Sequence, residues 1–513
     1  MSGTDSMDKA VAPTEDTPFY SQERFWNGLL IIAIVLTVFA IFSSELGLDA
    51  HVKGAYVESE NGWVLDWGDV RTEDPLASNP ADAKEVPVDS VTPGTVMLFA
   101  ILGLMLAIIT ARKMGFGKET IAVLLLNPAL IFSIGRGYSE YTYLAFLGIA
   151  WMIWKGSRNY GLEKSPFARI TAIGMSSMMI MAILVLKLKV EPFSMFLPFL
   201  VLIGIGVWID RAPDHWFNPQ KTMVVGFGFG ILTIIILGLN GFGSFSVVST
   251  ESNRFIQALP ISIFGVIIVY GFVGMVLWPF AKTTWCNMAK DGNRLTGELA
   301  LFIGTMAGAI VAYVACLWTY ESILWNSDWP WHMWTMGNNG RYITILTIPC
   351  YVLIRRVNGN VDWKQRKAVA GILLILPISF AAGIHGQTYW TDDAAEVLDQ
   401  NMQSGEEFLF VHESTLGMHY LYTFHTYIED VKERDITGHW RDPGSGWENE
   451  LVSDETWEKR GNLTSVEWVV FSPGIGWEEQ PVGWYLANNG QADFMNGGGE
   501  WEVWTTHNQF SVN

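Results

Sequence analysis

Eleven apolar runs, most of them close to the length of a membrane crossing, constrain this chain more than any other feature. A helix needs roughly 20 apolar residues to cross a bilayer. The predicted spans are residues 25–46, 95–110, 121–134, 141–154, 170–186, 193–209, 222–239, 259–280, 299–320, 342–354 and 368–384. The third and tenth runs are the weakest, so one span fewer or one more also fits the pattern.

The composition agrees with a chain that lies largely within a membrane. Half of the 513 residues are hydrophobic, 16% are charged, and the mean hydropathy is +0.24. These values are too apolar for one soluble domain and predict an all-α polytopic membrane protein with about 11 transmembrane helices. The net charge of −19 excludes a basic nucleic-acid-binding surface, so membrane lipids are expected partners and nucleic acid is not.

The orientation follows from where Lys and Arg lie. They concentrate in alternate short loops, and such loops favour the cytoplasmic side. The prediction is therefore a cytoplasmic tail over residues 1–24, a transmembrane domain over 25–384 in the cell membrane, and an exterior loop over 47–92. The tail leads directly into the first span, which is expected to act as an uncleaved insertion signal.

The last quarter of the chain, residues 385–513, is predicted to form a separate exterior domain. From residue 391 onward it holds 23 Asp and Glu against 5 Lys and Arg. Short runs of aromatic and β-branched residues, such as FLFVHE and SVEWVVFS, are separated by Gly, Asn, Asp and Pro. This pattern is typical of strands and turns and predicts an acidic α+β or β-rich domain.

The first candidate for chemistry is a group of ionisable residues where the first span ends. Asp49, His51 and Lys53 bring an acid, an imidazole and an amine close together in the sequence. Ionisable side chains at the end of a span cost little when they face water, so Asp49 could equally be an ordinary interfacial acid. An aromatic-rich run follows, which fits either an interfacial belt or a surface that stacks on sugars.

Two further candidates precede later spans. Arg136, Tyr138 and Glu140 lie in a short exterior turn, which is either a membrane anchor or a second carboxylate with a phosphate-binding arginine. Arg341 and Tyr342 enter the tenth span after a tryptophan-rich loop. An arginine at an exterior end runs against the orientation rule, so Arg341 is better explained by an anionic partner such as a lipid phosphate.

Together, these landmarks resemble a known family. An Asp in the first exterior loop, the NPxL…RGYSE turn and the RYITILTIP span entry are similar to the GT-C superfamily of membrane glycosyltransferases. The likeness is greatest to the branch with dolichol-phosphate-mannose-type protein mannosyltransferases and aminoarabinose transferases. It covers most of the span region and the plan of a C-terminal exterior domain.

The resemblance implies an inverting transfer of a sugar from a polyprenyl (dolichyl) phosphate to a lipid, protein or glycan acceptor outside the membrane. Asp49 would be the general base, its pKa tuned by His51 or Lys53. Arg341, helped by Arg136 or Lys53, would hold the departing phosphate. The resemblance also implies that Glu140 would position a sugar hydroxyl or the acceptor. Tyr138 and Tyr342, in the same two motifs, are candidate substrate-binding residues.

The sequence also departs from the family pattern. Many relatives carry two neighbouring acids in the first loop, whereas Asp49 is followed by Ala50 and His51. No cofactor follows with certainty, and dependence on a divalent cation stays open because paired acids are missing. The Trp-Trp-Asp-Tyr-Gly signature of oligosaccharyltransferases is absent, which argues against en bloc transfer to asparagine.

Two other function classes compete with the glycosyltransferase. A transporter or flippase of a lipid-linked or small solute would place ionisable residues near the middle of the membrane. The centres of the predicted spans lack Asp, Glu, Lys and Arg, which favours a surface-facing active site instead. The third alternative is a non-catalytic assembly protein whose exterior domain binds a partner.

Overall fold

The structure is a computed structural model of the chain. It describes residues 18–45, 47, 56–59, 62–65, 93–159, 165–188, 196–241, 243–324, 337–384, 389–412, 420–421, 423–424, 427–429, 434–441, 443–453, 463–492 and 498–510.

Helices account for most of the described residues. They are α1 (Glu23–Ser43), α2 (Pro93–Lys113), α3 (Lys118–Leu125), α4 (Pro128–Gly135), α5 (Glu140–Asn159), α6 (Pro166–Leu188), α7 (Phe196–Arg211), α8 (Pro219–Leu239), α9 (Val247–Thr250), α10 (Ser252–Ser262), α11 (Trp278–Met288), α12 (Arg294–Leu324), α13 (Thr347–Asn358), α14 (Arg366–Ile384), α15 (Trp390–Asn401) and α16 (Trp447–Glu450). A π-helix, Ile263–Gly274, continues α10, and a 3-10 helix, Gly337–Leu346, leads into α13.

The helices confirm the prediction of an all-α polytopic membrane protein. Among the described residues, seven helices are long and apolar enough to cross a bilayer, or up to eight if the α3–α4 pair is one span. All eleven predicted runs fall on helices. Three of these runs do not belong to the seven long helices or to the α3–α4 pair. They lie on α5, on the 16-residue α7, and on the 3-10 helix with α13.

The third predicted span is bent where Asn127 meets Pro128. Helices α3 and α4 meet there at 62°. Pro128 lacks an N–H and cannot continue the hydrogen-bonding pattern of α3. The side chain of Asn127 instead caps α4 by accepting a hydrogen bond from the Ala129 N–H at 3.0 Å. The bend brings the end of α4 to the candidate site described below.

Glycines allow α8 and α12 to pack backbone to backbone. A Cβ added at Gly226 would lie 2.6 Å from the carbonyl oxygen of Leu301, and one at Gly230 would overlap the carbonyl oxygen of Thr305. On α12, Gly304 likewise faces the backbone of α8. Small residues at such interfaces let membrane helices approach closely and gain van der Waals contact. Residues of α8 and α12 also line a cavity between the helices.

The C-terminal region contains a five-stranded mixed sheet in the order β4-β3-β5-β7-β6. Its strands are β3 (Glu407–Val411), β4 (Thr437–Arg441), β5 (Val466–Phe471), β6 (Tyr485–Gln491) and β7 (Glu500–Thr505). Helix α15 packs on this sheet, with the rings of Trp390 and Trp501 stacked at 6.4 Å. The α+β prediction is confirmed.

The sequence patterns missed three strands. Strand β4, with the sequence TGHWR, lies outside the four short runs from which the other strands of the sheet were predicted. It is held by parallel pairing with β3. Between α1 and α2, β1 (Tyr56–Ser59) and β2 (Gly62–Leu65) pair as an antiparallel hairpin, which the sequence patterns did not predict.

Candidate active site

The turn between α4 and α5 places Arg136 and Tyr138 at one end of the helical bundle. Gly137 has φ +70°, a left-handed conformation that glycine adopts without a steric penalty. Tyr138 N–H donates to the carbonyl of Ser133 at 2.9 Å, and Gly137 N–H donates to that of Ile134 at 3.2 Å. This pair of bonds is a Schellman motif, which ends α4 and directs the chain into α5.

The segment that follows α1 begins against this turn. Gly47 N–H donates a hydrogen bond to the carbonyl oxygen of Arg136 at 3.1 Å. A Cβ added at Gly47 would overlap the ring of Tyr138, so only glycine fits there without displacing the ring. The close approach joins the end of the first span to the RGYSE segment.

A buried ion pair joins the start of α5 to the entry of the tenth predicted span. Arg341 Nε donates to Glu140 Oε1 at 2.8 Å, and the two side chains are only 5% and 2% exposed. The Arg341 guanidinium also lies 4.4 Å from the ring centroid of Tyr138 and 5.0 Å from that of Tyr342. Within the described part of the chain, the second carboxylate oxygen of Glu140 is buried without a hydrogen-bond partner.

Arg136 is a second buried cation beside this pair. It is 7% exposed, and its guanidinium lies 3.6 Å from the ring centroid of Phe132. Among the described residues no carboxylate pairs with it, although the charge of Arg341 is near enough to interact electrostatically. Burial lowers the pKa of Arg136, and the like charge of Arg341 acts in the same direction.

Two irregular helical segments hold Arg341 in place. The 3-10 helix Gly337–Leu346 packs against the π-helix Ile263–Gly274, and a Cβ added at Gly340 would overlap the ring of Tyr270. Thr344 Oγ1 donates to the carbonyl of Arg341 at 2.6 Å. Such 3-10 and π segments occur often at functional sites. Here the 3-10 helix and the π-helix place Arg341 in a buried position that a continuous membrane-spanning helix would not favour.

The C-terminal domain touches the same region. Tyr389 N–H donates to Glu45 Oε2 at 3.0 Å, just beyond the end of α1. The rings of Tyr389 and Tyr420 meet edge to face at 5.8 Å, and both phenols interact electrostatically with Arg136. The C-terminal region therefore contributes two phenol side chains near Arg136.

A pair of acids also joins the C-terminal domain to the membrane domain. Burial raises the pKa of Asp392 to about 8, and the neighbouring charge of Glu45 acts in the same direction. Burial also raises the pKa of Glu45, and the two carboxyl groups are hydrogen-bonded. The protonated Asp392 is the donor in this bond, because two carboxylates cannot share it without a proton.

Comparisons with known proteins add little beyond this geometry. No family model and no curated protein matches the chain. A solved structure does match: the crystal structure of ArnT from Cupriavidus metallidurans in the apo state. It is 12% identical, with a TM-score of 0.37, and the alignment covers 96% of this chain and 99% of that one. At that identity and TM-score the match carries no argument about activity.

The structure brings together five of the residues singled out in the sequence. They are Arg136, Tyr138, Glu140, Arg341 and Tyr342. The other three, Asp49, His51 and Lys53, lie outside the described residues, so their roles stay predictions.

Sequence reasoning missed the residues that reach the site from outside the spans. Glu45 falls near the end of the first predicted span, 25–46, and no role was predicted for it. Tyr389 and Tyr420 were read as part of a separate exterior domain. No local pattern marks these residues, because each reaches the site only through the packing of distant segments.

A group that could hold a metal ion lies elsewhere. Glu406, Glu467 and His507 present ligand atoms within 4.8 Å of one another in the C-terminal domain. His507 Nε2 lies 3.3 Å from Glu406 and 3.6 Å from Glu467. None of these residues belongs to the Arg136–Arg341 cluster, and dependence on a divalent cation stays a prediction.

Proposed function

We propose that this protein is an inverting glycosyltransferase that moves a sugar from a polyprenyl (dolichyl) phosphate to an acceptor on the exterior face of the membrane. The observation that carries the proposal is the buried guanidinium of Arg136. It lies beside Arg341, and no carboxylate among the described residues pairs with it. The sequence resemblance to GT-C glycosyltransferases supports the same conclusion.

Two buried cations and one buried carboxylate favour an anionic ligand. Leaving a charge buried without a partner costs several kcal/mol, so a site of this kind gains stability when an anion enters. Arginine is suited to phosphate because its planar fork donates two parallel hydrogen bonds. The surrounding tyrosines provide apolar ring surface together with hydroxyl donors. A phosphate attached to a lipid tail fits a site that lies at the end of membrane helices.

The proposed reaction follows from these assignments. The acceptor oxygen forms a bond to the anomeric carbon, while the bond from that carbon to the phosphate oxygen breaks. The acceptor proton passes to Asp49, and the polyprenyl phosphate leaves as an anion held by Arg136 and Arg341. The free oxygen of Glu140 accepts a hydrogen bond from a sugar or acceptor hydroxyl. Charge that develops on the leaving phosphate is stabilised by groups already in position.

The assignment of Asp49 as the base rests on sequence and on one neighbouring contact. Gly47, two residues earlier in the chain, bonds to Arg136 and packs against Tyr138. The loop that carries Asp49 thus starts beside the arginines. Lys53 and His51 stay candidates for tuning its pKa.

The test is incubation of the purified full chain with a panel of polyprenyl-phosphate sugars and measurement of the free polyprenyl phosphate formed. Replacing Arg136 by Gln removes charge-assisted hydrogen bonds worth about 1.5–3 kcal/mol, so turnover should fall about 10- to 100-fold. Asp49→Asn should abolish turnover while leaving donor binding intact.

A matched control is Arg254→Gln, which removes an arginine that is 35% exposed and 3.9 Å from Glu251 at the start of α10. It should keep wild-type turnover. If Arg136→Gln keeps full activity in a folded protein, the phosphate assignment is wrong. If no lipid-linked sugar is consumed while a solute or lipid is moved across vesicles, the transporter alternative replaces the enzyme.

A further inference from the structure

A cavity of about 640 Å³ lies between α5, α6, α7, α8 and α12, apart from the candidate active site. Each helix lines it with apolar side chains, including Trp151, Ile173, Leu202, Val225 and Phe302. The volume falls within the range of about 300–1,000 Å³ that is typical of ligand pockets. Nothing in the proposed sugar transfer uses this space.

The cavity opens towards the surrounding lipid. Four of its lining residues are large apolar side chains that are about half exposed or more: Trp208 (57%), Trp216 (51%), Val225 (66%) and Phe229 (49%). In a membrane protein, such surfaces face hydrocarbon. A hydrocarbon chain can therefore enter the cavity from the side without crossing a polar barrier.

The cavity lies towards the opposite end of α5 from the candidate active site. Glu140 begins this helix, and the lining residues Ala150 to Trp154 follow about 15–21 Å further along it at ~1.5 Å per residue. Between Glu298 and Met306, both lining residues, α12 rises about 12 Å. The cavity thus runs from the side of the basic loops towards the middle of the bilayer.

The charged residues near the mouth of the cavity fall into two sets. Three arginines and three acids pair with one another; the pairs are Arg158 with Glu298, Arg169 with Asp210, and Arg294 with Asp214 and Glu298. These charges balance. The side chains of Lys155, Arg211 and Lys221 are exposed and form no ion pair within the described residues, and Lys221 lines the cavity itself. The second set leaves a net positive charge where the cavity meets the basic loops.

We propose that this cavity binds an anionic phospholipid from the leaflet on the side of the basic loops. An acyl chain lies between α6, α7 and α8, and the phosphate lies near Lys221. Apolar pockets with basic residues between membrane helices are suited to such headgroups. A polyprenyl phosphate is a poorer fit, because its phosphate is needed at Arg136, towards the other end of α5. The choice of a phospholipid over polyprenyl phosphate therefore rests on the proposed sugar transfer, whereas the cavity and its basic residues do not depend on it.

The experiment uses the purified, delipidated full chain and native mass spectrometry. Phosphatidylglycerol and phosphatidylcholine with identical acyl chains are added separately, and bound lipid is counted. We expect one phosphatidylglycerol per chain, retained more strongly than phosphatidylcholine. Val225→Trp fills the cavity and should reduce retention about tenfold or more, which corresponds to ~1.4 kcal/mol. Val224→Trp is the matched control, because Val224 is 59% exposed on the same helix but does not line the cavity.

A second pair of variants tests the headgroup. Lys221→Gln should lower the preference for phosphatidylglycerol about fivefold, since a basic residue near an anionic headgroup contributes ~1 kcal/mol. Lys367→Gln, which removes an exposed lysine at the start of α14, should not change it. Equal retention of the two lipids by the wild type, or full retention by Val225→Trp, would overturn the proposal. Displacement of phosphatidylglycerol by polyprenyl phosphate, sensitive to Val225→Trp, would assign the cavity to the donor lipid instead.

Discussion

Arg136 and Arg341 lie close together and are both buried, yet their removal should change stability in opposite directions. Arg341 is paired with Glu140, whereas Arg136 has no carboxylate partner in the described part of the chain. Replacing each by methionine keeps an apolar stem of similar length and removes only the charged head. Without ligand, Arg136→Met should therefore stabilise the protein, and Arg341→Met should destabilise it.

The magnitudes follow from burial and pairing. An unpaired buried ion costs several kcal/mol after relaxation, and the contact of Arg136 with Phe132 at 3.6 Å returns about 2 kcal/mol of cation–π energy. The net gain from Arg136→Met should be about 1–2 kcal/mol. Arg341→Met leaves Glu140 buried without its partner, which costs about 3–5 kcal/mol.

The assay is equilibrium unfolding of the purified full chain in detergent, with and without polyprenyl phosphate. A ligand that binds only the folded state at 100 times its dissociation constant adds about 2.7 kcal/mol. The wild type should gain that stabilisation, and Arg136→Met should lose most of it. Destabilisation by Arg136→Met comparable to that by Arg341→Met would refute the reasoning. It would show that Arg136 is satisfied without a ligand.

Three other predictions test separate parts of the structure. Gly230→Leu should lower the free energy of unfolding by about 1–3 kcal/mol or more, because the added side chain separates α8 from α12. Gly228→Leu is the control and should cost little, since nothing lies within 4 Å of an added Cβ at Gly228. Equal effects of the two substitutions would contradict the close packing of α8 and α12. Asp392 has its pKa raised to about 8 by burial, so its contribution to stability is complete below its ordinary pKa and is lost as pH rises towards 8. Urea unfolding between about pH 5 and 9 should show this decline, and Asp392→Asn should flatten it; an unchanged slope would remove the acid pair from the contact between the domains. Glu140→Gln removes the negative charge beside the phosphate site, so free polyprenyl phosphate should bind several-fold more tightly while sugar turnover falls. Weaker binding of the carrier, measured by native mass spectrometry, would place the phosphate elsewhere.

Local sequence patterns were sufficient for the class of fold, for the membrane helices and for four of the five strands of the C-terminal sheet. Apolar runs of span length must bury their backbone polar groups in helices within lipid, and for that reason all eleven fall on helices. Four strands of the C-terminal sheet were predicted from short runs of aromatic and β-branched residues, because such side chains pack well on a half-buried sheet. The bend at Asn127-Pro128 was not predicted, and proline alone does not locate a bend, because Pro260 and Pro377 lie inside α10 and α14. Strand β4 was missed, since its pairing with β3 is a contact between distant segments.

Only the tertiary structure decided how the candidate site is assembled. The sequence marks Arg136, Glu140 and Arg341 as unusual at the ends of spans, but their pairing depends on how α5 packs beside the 3-10 helix. The sequence does not reveal that Arg341 has a carboxylate partner, or that Arg136 is buried without a carboxylate partner among the described residues. The contact of Tyr389 with Glu45 depends on how the C-terminal region packs against the end of α1. Hydrophobic periodicity is a local property of the chain, whereas the pairing of buried charges depends on packing between segments separated by hundreds of residues.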